Sequence, residues 1–274
     1  MGRVQDKVVF ITGAARGQGR AHAVRLAQEG ADVIGVDVCA QLETVPYELA
    51  NRDDLDETAR EVEAAGRRAV VREADVRDLD ALRTALEAGV AELGRLDVVI
   101  ANAGIFSVGA PIADMEPQTW QEMIDVNLTG VFHTLKVAVP HLNDGASVII
   151  ISSGAGLNGH PNIGHYVASK HGVVGLMRTL AKELGPRMIR VNSLHPTNVD
   201  TPMFTNDTMR RLWVPYKDDP TAEDVEAVAR GIHVLPVGWV EMQDVTNAVL
   251  FLASDESRYV TGVPLPIDAG FLAH

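Results

Sequence analysis

Cysteine is nearly missing from this sequence: Cys39 stands alone in 274 residues. One thiol cannot close an internal disulfide, and no CxxC or Cys/His cluster surrounds it, so it reads as structural and fits a reducing compartment. No apolar run approaches the ~18 residues that a membrane-spanning helix needs. The opening Met-Gly-Arg-Val-Gln-Asp-Lys carries no apolar signal region and no small-residue cleavage site. Gly2 would suit a myristoyl acceptor, but the position that should then be Ser or Thr is Asp6. Positive charge is also in short supply. A formal net charge of -13 argues against a nucleic-acid partner, which needs clustered Lys and Arg to neutralise phosphates. Internal repeats and low-complexity linkers are lacking too. The expectation is a soluble, cytoplasmic protein with neither a membrane nor a nucleic-acid partner.

A chain of 274 residues is most economically one domain, 1–274. Roughly three quarters of its unfolded surface can be buried at that size, so no disulfide or structural metal is required. Short apolar runs alternate with longer amphipathic ones. Lys7–Thr12, Asp32–Asp37, Ala69–Ala74, Leu96–Ala101, Ala146–Ser152, Met188–Leu194 and Val263–Asp268 read as strands. Helical patterns fall near 17–29, 53–65, 78–93, 117–142, 164–184 and 241–253. Several strands are continuously apolar, as expected when helices cover both faces of a parallel sheet. Seven such strands with helical crossovers imply a doubly wound α/β fold. Two segments break the rhythm: an insertion near 39–52 and a Pro-containing stretch near 201–240 rich in large apolar residues. Both follow carboxyl ends of strands, where ligands sit in open α/β sheets.

After the first strand comes Thr12-Gly13-Ala14-Ala15-Arg16-Gly17-Gln18-Gly19, then an Ala-rich helical run. Glycines allow a tight turn and close backbone approach to a pyrophosphate. The following helix offers free amides and a positive dipole end. Asp37 ends the second strand, 18 residues beyond Gly19. A carboxylate there can accept hydrogen bonds from both adenosine ribose hydroxyls and repels a 2′-phosphate, which favours NAD over NADP. Arg16, beside the turn, pulls the other way. The next strong feature is Tyr166-Val-Ala-Ser-Lys170. Tyr and Lys at i, i+4 share one helix face, one turn apart. Ser153 precedes the tyrosine by 13 residues, Asn102-Ala103-Gly104 follows the fourth strand, and Asn127 lies in a long helical run.

In this order and spacing, TGxxxGxG, NAG, Asn, Ser and YxxxK resemble the single-domain branch of the short-chain dehydrogenase/reductase family, from Lys7 to Gly270. The resemblance implies a Rossmann fold: a seven-stranded parallel sheet with helices on both faces. It also implies hydride transfer between NAD and a carbonyl or alcohol. Tyr166 would be the general acid/base. A free phenol titrates near ~10, so the Lys170 ammonium and a positive nicotinamide should lower it. Lys170 would also bond the nicotinamide ribose. Ser153 would orient the substrate oxygen, and Asn127 would hold a water linking the lysine to solvent. Asp75 and Val76 would bracket the adenine; Asn102, Ala103 and Gly104 would floor the cofactor. His195-Pro196-Thr197-Asn198-Val199-Asp200-Thr201 stands where the family usually has Pro-Gly, with Thr197 replacing that glycine. The Val199 backbone would bind the carboxamide and Thr201 would reach the carboxamide or phosphates, while His195 reads as a packing residue at a strand end.

Met203, Phe204, Met209, Leu212, Trp213, Val214 and Tyr216 suit a lid over an apolar substrate, or the core-facing stripe of short helices. The 39–52 segment, with TGAARGQGR and HPTNVDTPM, resembles the mycofactocin-coupled subgroup that includes proteins described as carveol dehydrogenases. That implies a small hydrophobic alcohol or ketone as substrate, NAD that exchanges poorly, and an external redox carrier, mycofactocin. Tyr259-Val-Thr-Gly262 and Asp268-Ala-Gly270 resemble the family's subunit-interface segment, hence a homotetramer. Alternatives are a 3-oxoacyl-type ketone reductase, a non-catalytic NAD sensor, and a lyase or epimerase on the same scaffold.

Overall fold

A computed structural model describes residues 2–273. Its elements run β1 (Val8–Thr12), α1 (Gly17–Gln28), β2 (Asp32–Asp37), α2 (Arg52–Ala64), β3 (Ala69–Glu73), α3 (Leu79–Leu93) and β4 (Val98–Ala101). They continue with α4 (Pro117–Ile124), α5 (Gly130–Ala138), β5 (Ser147–Ile151), α6 (Gly164–Leu184) and β6 (Arg190–Pro196). The last part holds α7 (Pro202–Thr205), α8 (Asp207–Trp213), α9 (Ala222–Arg230), α10 (Met242–Ala253) and β7 (Pro264–Ile267).

The strands form one parallel sheet in the order β3-β2-β1-β4-β5-β6-β7. Strand residues alternate between two cores, since successive side chains point to opposite faces. On β1, Val8 and Phe10 enter one core, whereas Val9 and Ile11 enter the other. Val99 and Ala101 of β4 oppose Val98 and Ile100 in the same way. Both faces are therefore apolar, which is why these strands read as unbroken runs. Each fully buried large side chain contributes about 1.5–3 kcal/mol.

The chain order reverses between β1 and β4, so the crevice at the carboxyl ends of those strands opens there. Carboxylates at the opposite end serve the scaffold. Asp97 accepts from the Val8 amide at 2.9 Å and from Arg95 and Asn143, and Asp32 pairs with Arg67 and Arg68.

Three elements differ from their sequence reading. The helix expected over 117–142 holds a π-helical turn at Asp125–Thr129, where one extra residue per turn leaves a backbone group free. The sixth strand runs two residues later than expected, through Pro196. The 201–240 stretch contains α7, α8 and α9. Among the described residues, no helix is long and apolar enough to cross a membrane.

Candidate active site

The glycine turn is fixed from two sides. Gly13 has φ +69°, and a Cβ there would lie 2.8 Å from the Ala103 Cα. A Cβ on Gly19 would fall 1.9 Å from the Gly13 carbonyl oxygen. The Asn102 side-chain amide donates to the carbonyls of Thr12 and Gly13 at 3.0 and 3.1 Å. The Thr12 hydroxyl accepts from the Asn102 and Ala103 amides. Asn102 thus locks the turn besides flooring the cleft. No side chain caps the start of α1, so its first amides stay free for an anion.

Asp37, at the end of β2, accepts from the Ala15 amide at 3.0 Å and from that of Cys39 at 3.4 Å. Burial pushes its carboxyl up despite these bonds and the nearby Arg16. Arg16 turns its guanidinium to the Glu48 carbonyl of the insertion, which engages the base that could have met a 2′-phosphate. Asp75 is held by Arg77 at 2.6 Å. One cleft is lined by Gly13, Arg16, Gly17, Gln18, Gly19, Asp37, Asp75, Val76, Asn102, Ala103 and Gly104. Tyr166, Lys170 and Thr201 also line it. Free helix amides, a close-approach glycine turn and a bonded carboxylate fit a dinucleotide.

The insertion contributes residues that the sequence reading did not name. Leu42, Tyr47 and Leu49 line the same cleft. Tyr47 is buried, and its hydroxyl accepts from the Phe106 amide at 3.1 Å. The Thr44 hydroxyl and amide both donate to one oxygen of Glu122 on α4, at 2.6 and 3.0 Å. The insertion is thereby strapped across the cleft. A lone aromatic in an irregular, Pro-containing stretch was the signal for Tyr47.

A second cavity, of about 470 Å³, adjoins the first. Ser153 and Tyr166 stand at one part of it; Phe106, Ile163, Phe204, Trp213 and Phe271 supply apolar wall. Pro196, Val199 and Thr201 line it too. Val199 pairs with Val240, which anchors the far end of the α7–α9 segment beside β6. Phe204 packs edge-on to Trp213 and Trp239, and Met209 and Val214 are buried, so this part of the apolar stripe faces inward, whereas Leu212 and Tyr216 are exposed. Phe271 and Phe106 were not anticipated, because nothing local in the sequence ties them to the site.

Near Tyr166 the carboxyl end of β5 is held tightly. Lys170 Nζ donates to the Ile151 carbonyl at 3.1 Å, and the Ser152 hydroxyl to the Lys170 carbonyl at 3.1 Å. Ser152 is therefore a scaffold serine, while Ser153 Oγ accepts from the Ala155 amide at 3.2 Å and faces the phenol. His195 is fully buried and bonds the Ser153 carbonyl at 2.7 Å and the Ser193 hydroxyl at 2.8 Å. Burial pushes it down to about 4, so the neutral ring braces the serine's backbone.

Asn127, fully buried in the π-helical turn, accepts from the Ile105 amide at 2.8 Å and donates to its carbonyl at 2.9 Å. Its side chain is thus committed to the β4 loop. A Cβ on Gly104 would lie 3.4 Å from Asn127 Oδ1 and 3.6 Å from Lys170 Nζ, which puts both groups beside that glycine.

The lysine alone, without a dinucleotide, does not supply the expected lowering of Tyr166. Burial pushes the Tyr166 phenol up, and the Ser153 hydroxyl is the group that pulls it down. Lys170 Nζ lies 5.6 Å from the ring centroid and is itself pushed down to about 8 by burial. An ammonium that is costly to bury, and is bonded to a carbonyl, does not by itself make an acidic phenol.

The family model described as enoyl-(acyl carrier protein) reductase matches residues 13–272. A (-)-trans-carveol dehydrogenase of Rhodococcus erythropolis is 54% identical over 98% of this chain and 99% of its own. The crystal structure of a carveol dehydrogenase from Mycobacterium avium in complex with NAD superposes with TM-score 0.99 at 53% identity, covering 100% of both chains. A short-chain dehydrogenase from Mycobacterium paratuberculosis bound to NAD gives 0.91 at 44%, again over 100% of both. With a match across nearly its whole length and this arrangement of glycine turn, serine, tyrosine and lysine, the chain belongs to the short-chain dehydrogenase/reductase family.

Proposed function

We propose that this protein oxidises a small hydrophobic secondary alcohol, terpenoid-like in size and polarity, or reduces the matching ketone, with Tyr166 as general acid/base. The broader class, an NAD-dependent oxidoreductase acting on CH–OH groups, follows from the family and its NAD-bound relatives. One observation carries the finer reading: Tyr166 lines both the dinucleotide cleft and the apolar cavity. A phenol at that border meets whatever bridges the two.

Bound NAD supplies the hydride acceptor and a positive ring that favours phenolate. Ser153 holds the substrate oxygen. Tyr166 takes the alcohol proton and returns it in the reverse direction. Lys170 binds the cofactor ribose from its buried station on α6, and Asn127 keeps the β4 loop in place for proton exit. Gly13, Gly17, Gly19 and the α1 amides cradle the pyrophosphate; Asp37 takes the adenosine ribose, and Asp75 and Val76 flank the adenine. Val199 and Thr201 serve the nicotinamide end. Met203, Phe204 and Trp213 exclude water above the substrate.

Slow NAD exchange, reoxidation by an external carrier such as mycofactocin, a cytoplasmic location and a homotetramer belong to the same proposal. The strapped insertion supports the first. Tyr259, 81% exposed within the C-terminal segment, supports the last.

The test is Tyr166→Phe, assayed with hydrophobic secondary alcohols and an artificial electron acceptor. NAD binding should survive while oxidation falls by orders of magnitude, about 10²–10⁴-fold for a lost general base. Oxidation by the wild type should rise with pH, since it needs the deprotonated form of a phenol that burial pushes up. Undiminished oxidation by the variant would remove Tyr166 from this role.

A further inference from the structure

After β7 the chain reverses and returns a side chain to the site. The Asp268 carboxylate accepts from the Gly270 and Leu272 amides at 3.0 and 2.9 Å, and the Asp268 carbonyl from the Phe271 amide at 2.9 Å. Ala269 and Gly270 have φ +51° and +85°, the left-handed region that turns a chain sharply. The Ala269 carbonyl takes the amides of Val234 and Leu235, both at 3.0 Å, which pins the reversal against the stretch after α9. Phe271 is thereby turned inward, into the wall of the apolar cavity.

Three contacts fix the ring there. A Cβ on Gly154 would lie 3.1 Å from Phe271 Cδ1 and 3.2 Å from Cε1, so the ring fills the space this glycine leaves, one residue from Ser153. His160 stacks on it with centroids 5.4 Å apart. His233 meets it edge-on at 6.3 Å and is itself held by the Thr197 hydroxyl and the Val237 carbonyl, each at 2.7 Å. Phe106 stands in a similar relation to the phenol, edge-on to Tyr166 at 5.2 Å, and lines the same cavity. An alcohol oxygen shared by Ser153 and Tyr166 therefore has a phenyl group beside each of its two partners.

We propose that Phe271 is a specificity-determining residue: its ring limits the bulk on the carbon next to the carbinol, so that flat or unsubstituted neighbours are accepted and branched ones refused. A ring held from three sides cannot swing aside to admit a larger group, and a closely packed wall yields little to an extra methylene. Substituents remote from the carbinol meet other walls, such as Phe204 and Trp213, and do not feel Phe271. This inference rests on the substrate reading above and names the part of the alcohol that the cavity discriminates.

The experiment is a competition among three alcohols. Cyclohexanol and racemic 2-propylcyclohexanol and 4-propylcyclohexanol are supplied together with the artificial electron acceptor. Gas chromatography of the ketones at early conversion then gives ratios of kcat/KM within one variant. Phe271→Ala should raise the ratio of the 2-propyl to the unsubstituted alcohol by about tenfold or more, and leave the 4-propyl ratio within about threefold, since methylene-sized discrimination in an apolar pocket begins at about the former scale. Phe271→Leu should raise the 2-propyl ratio by less, and Phe271→Trp should lower it. Because each ratio is internal to one variant, an overall loss of activity or of folded protein does not disturb the readout. A 2-propyl ratio unchanged in Phe271→Ala and Phe271→Leu, or an equal gain for the 4-propyl isomer, overturns the inference and leaves the substrate reading intact. A wild type that oxidises none of the three overturns both.

Discussion

Lys170 shows how one buried charge couples stability to the site. Its ammonium is 5% exposed and is pushed from 10.5 down to about 8. The unfolded chain therefore holds the extra proton between about 8 and 10.5, so stability is lowest below that window and rises with pH across it. The gain is about 3 kcal/mol at most. Urea unfolding of dinucleotide-free protein at pH 7.5 and 10.5 should show this rise in the wild type and not in Lys170→Met. Equal pH dependence in the two would mean the amine is better solvated than its burial implies. A fold that tolerates this cost keeps the lysine for what it does with ligand bound. The same reasoning fits His195, whose neutral ring spends both nitrogens on Ser153 and Ser193.

The insertion before α2 is an element without regular structure, yet it is closely tied down. Gln41 donates to the carbonyls of Leu42, Val45 and Tyr47 and accepts from the Leu49 amide. Asn51 ends the segment by capping α2 in a reciprocal box with Asp54. Across the cleft its hold on α4 comes from Glu122, which takes two bonds from Thr44 and faces Arg77 at 3.3 Å, and from Gln118, which donates to Glu43 at 2.8 Å. Glu122→Ala removes charge-assisted bonds worth about 1.5–3 kcal/mol each, some of which water restores. NAD release from this variant, followed by dialysis or stopped flow, should accelerate roughly tenfold or more, with the Tyr166 chemistry untouched. An unaltered release rate would show that the strap does not govern exchange. The π-helical turn between α4 and α5 is the second irregular element, and it puts Asn127 against the β4 loop.

Across the whole molecule, a rigid sheet carries two bordering segments that meet over its carboxyl edge. The core strands β1, β4 and β5 are buried throughout. Residues 39–51 and 201–240 instead hold themselves by side-chain bonds and short helices, the features of locally openable regions. Hydrogen exchange measured with and without NAD should therefore slow in those two stretches and stay unchanged in β1, β4 and β5. Protection spread evenly over the sheet would contradict this division.

Patterning determined the sheet and its covering helices, because strands buried on two faces must be apolar without interruption and crossover helices must show one apolar stripe. The chemistry-bearing residues were legible for a related reason. Tyr166 and Lys170 are one turn apart on a single helix, and the glycine turn is contiguous, so their geometry is local. Tertiary structure alone decided the rest. The π-helical turn interrupts no periodicity that sequence displays. The Thr44–Glu122 strap, the Arg16–Glu48 contact and the arrival of Phe271 in the second cavity each join distant residues. Burial likewise opposes the acidic phenol that a neighbouring lysine promised, because desolvation disfavours charge on both partners until a ligand arrives, and that depends on packing that no local pattern records.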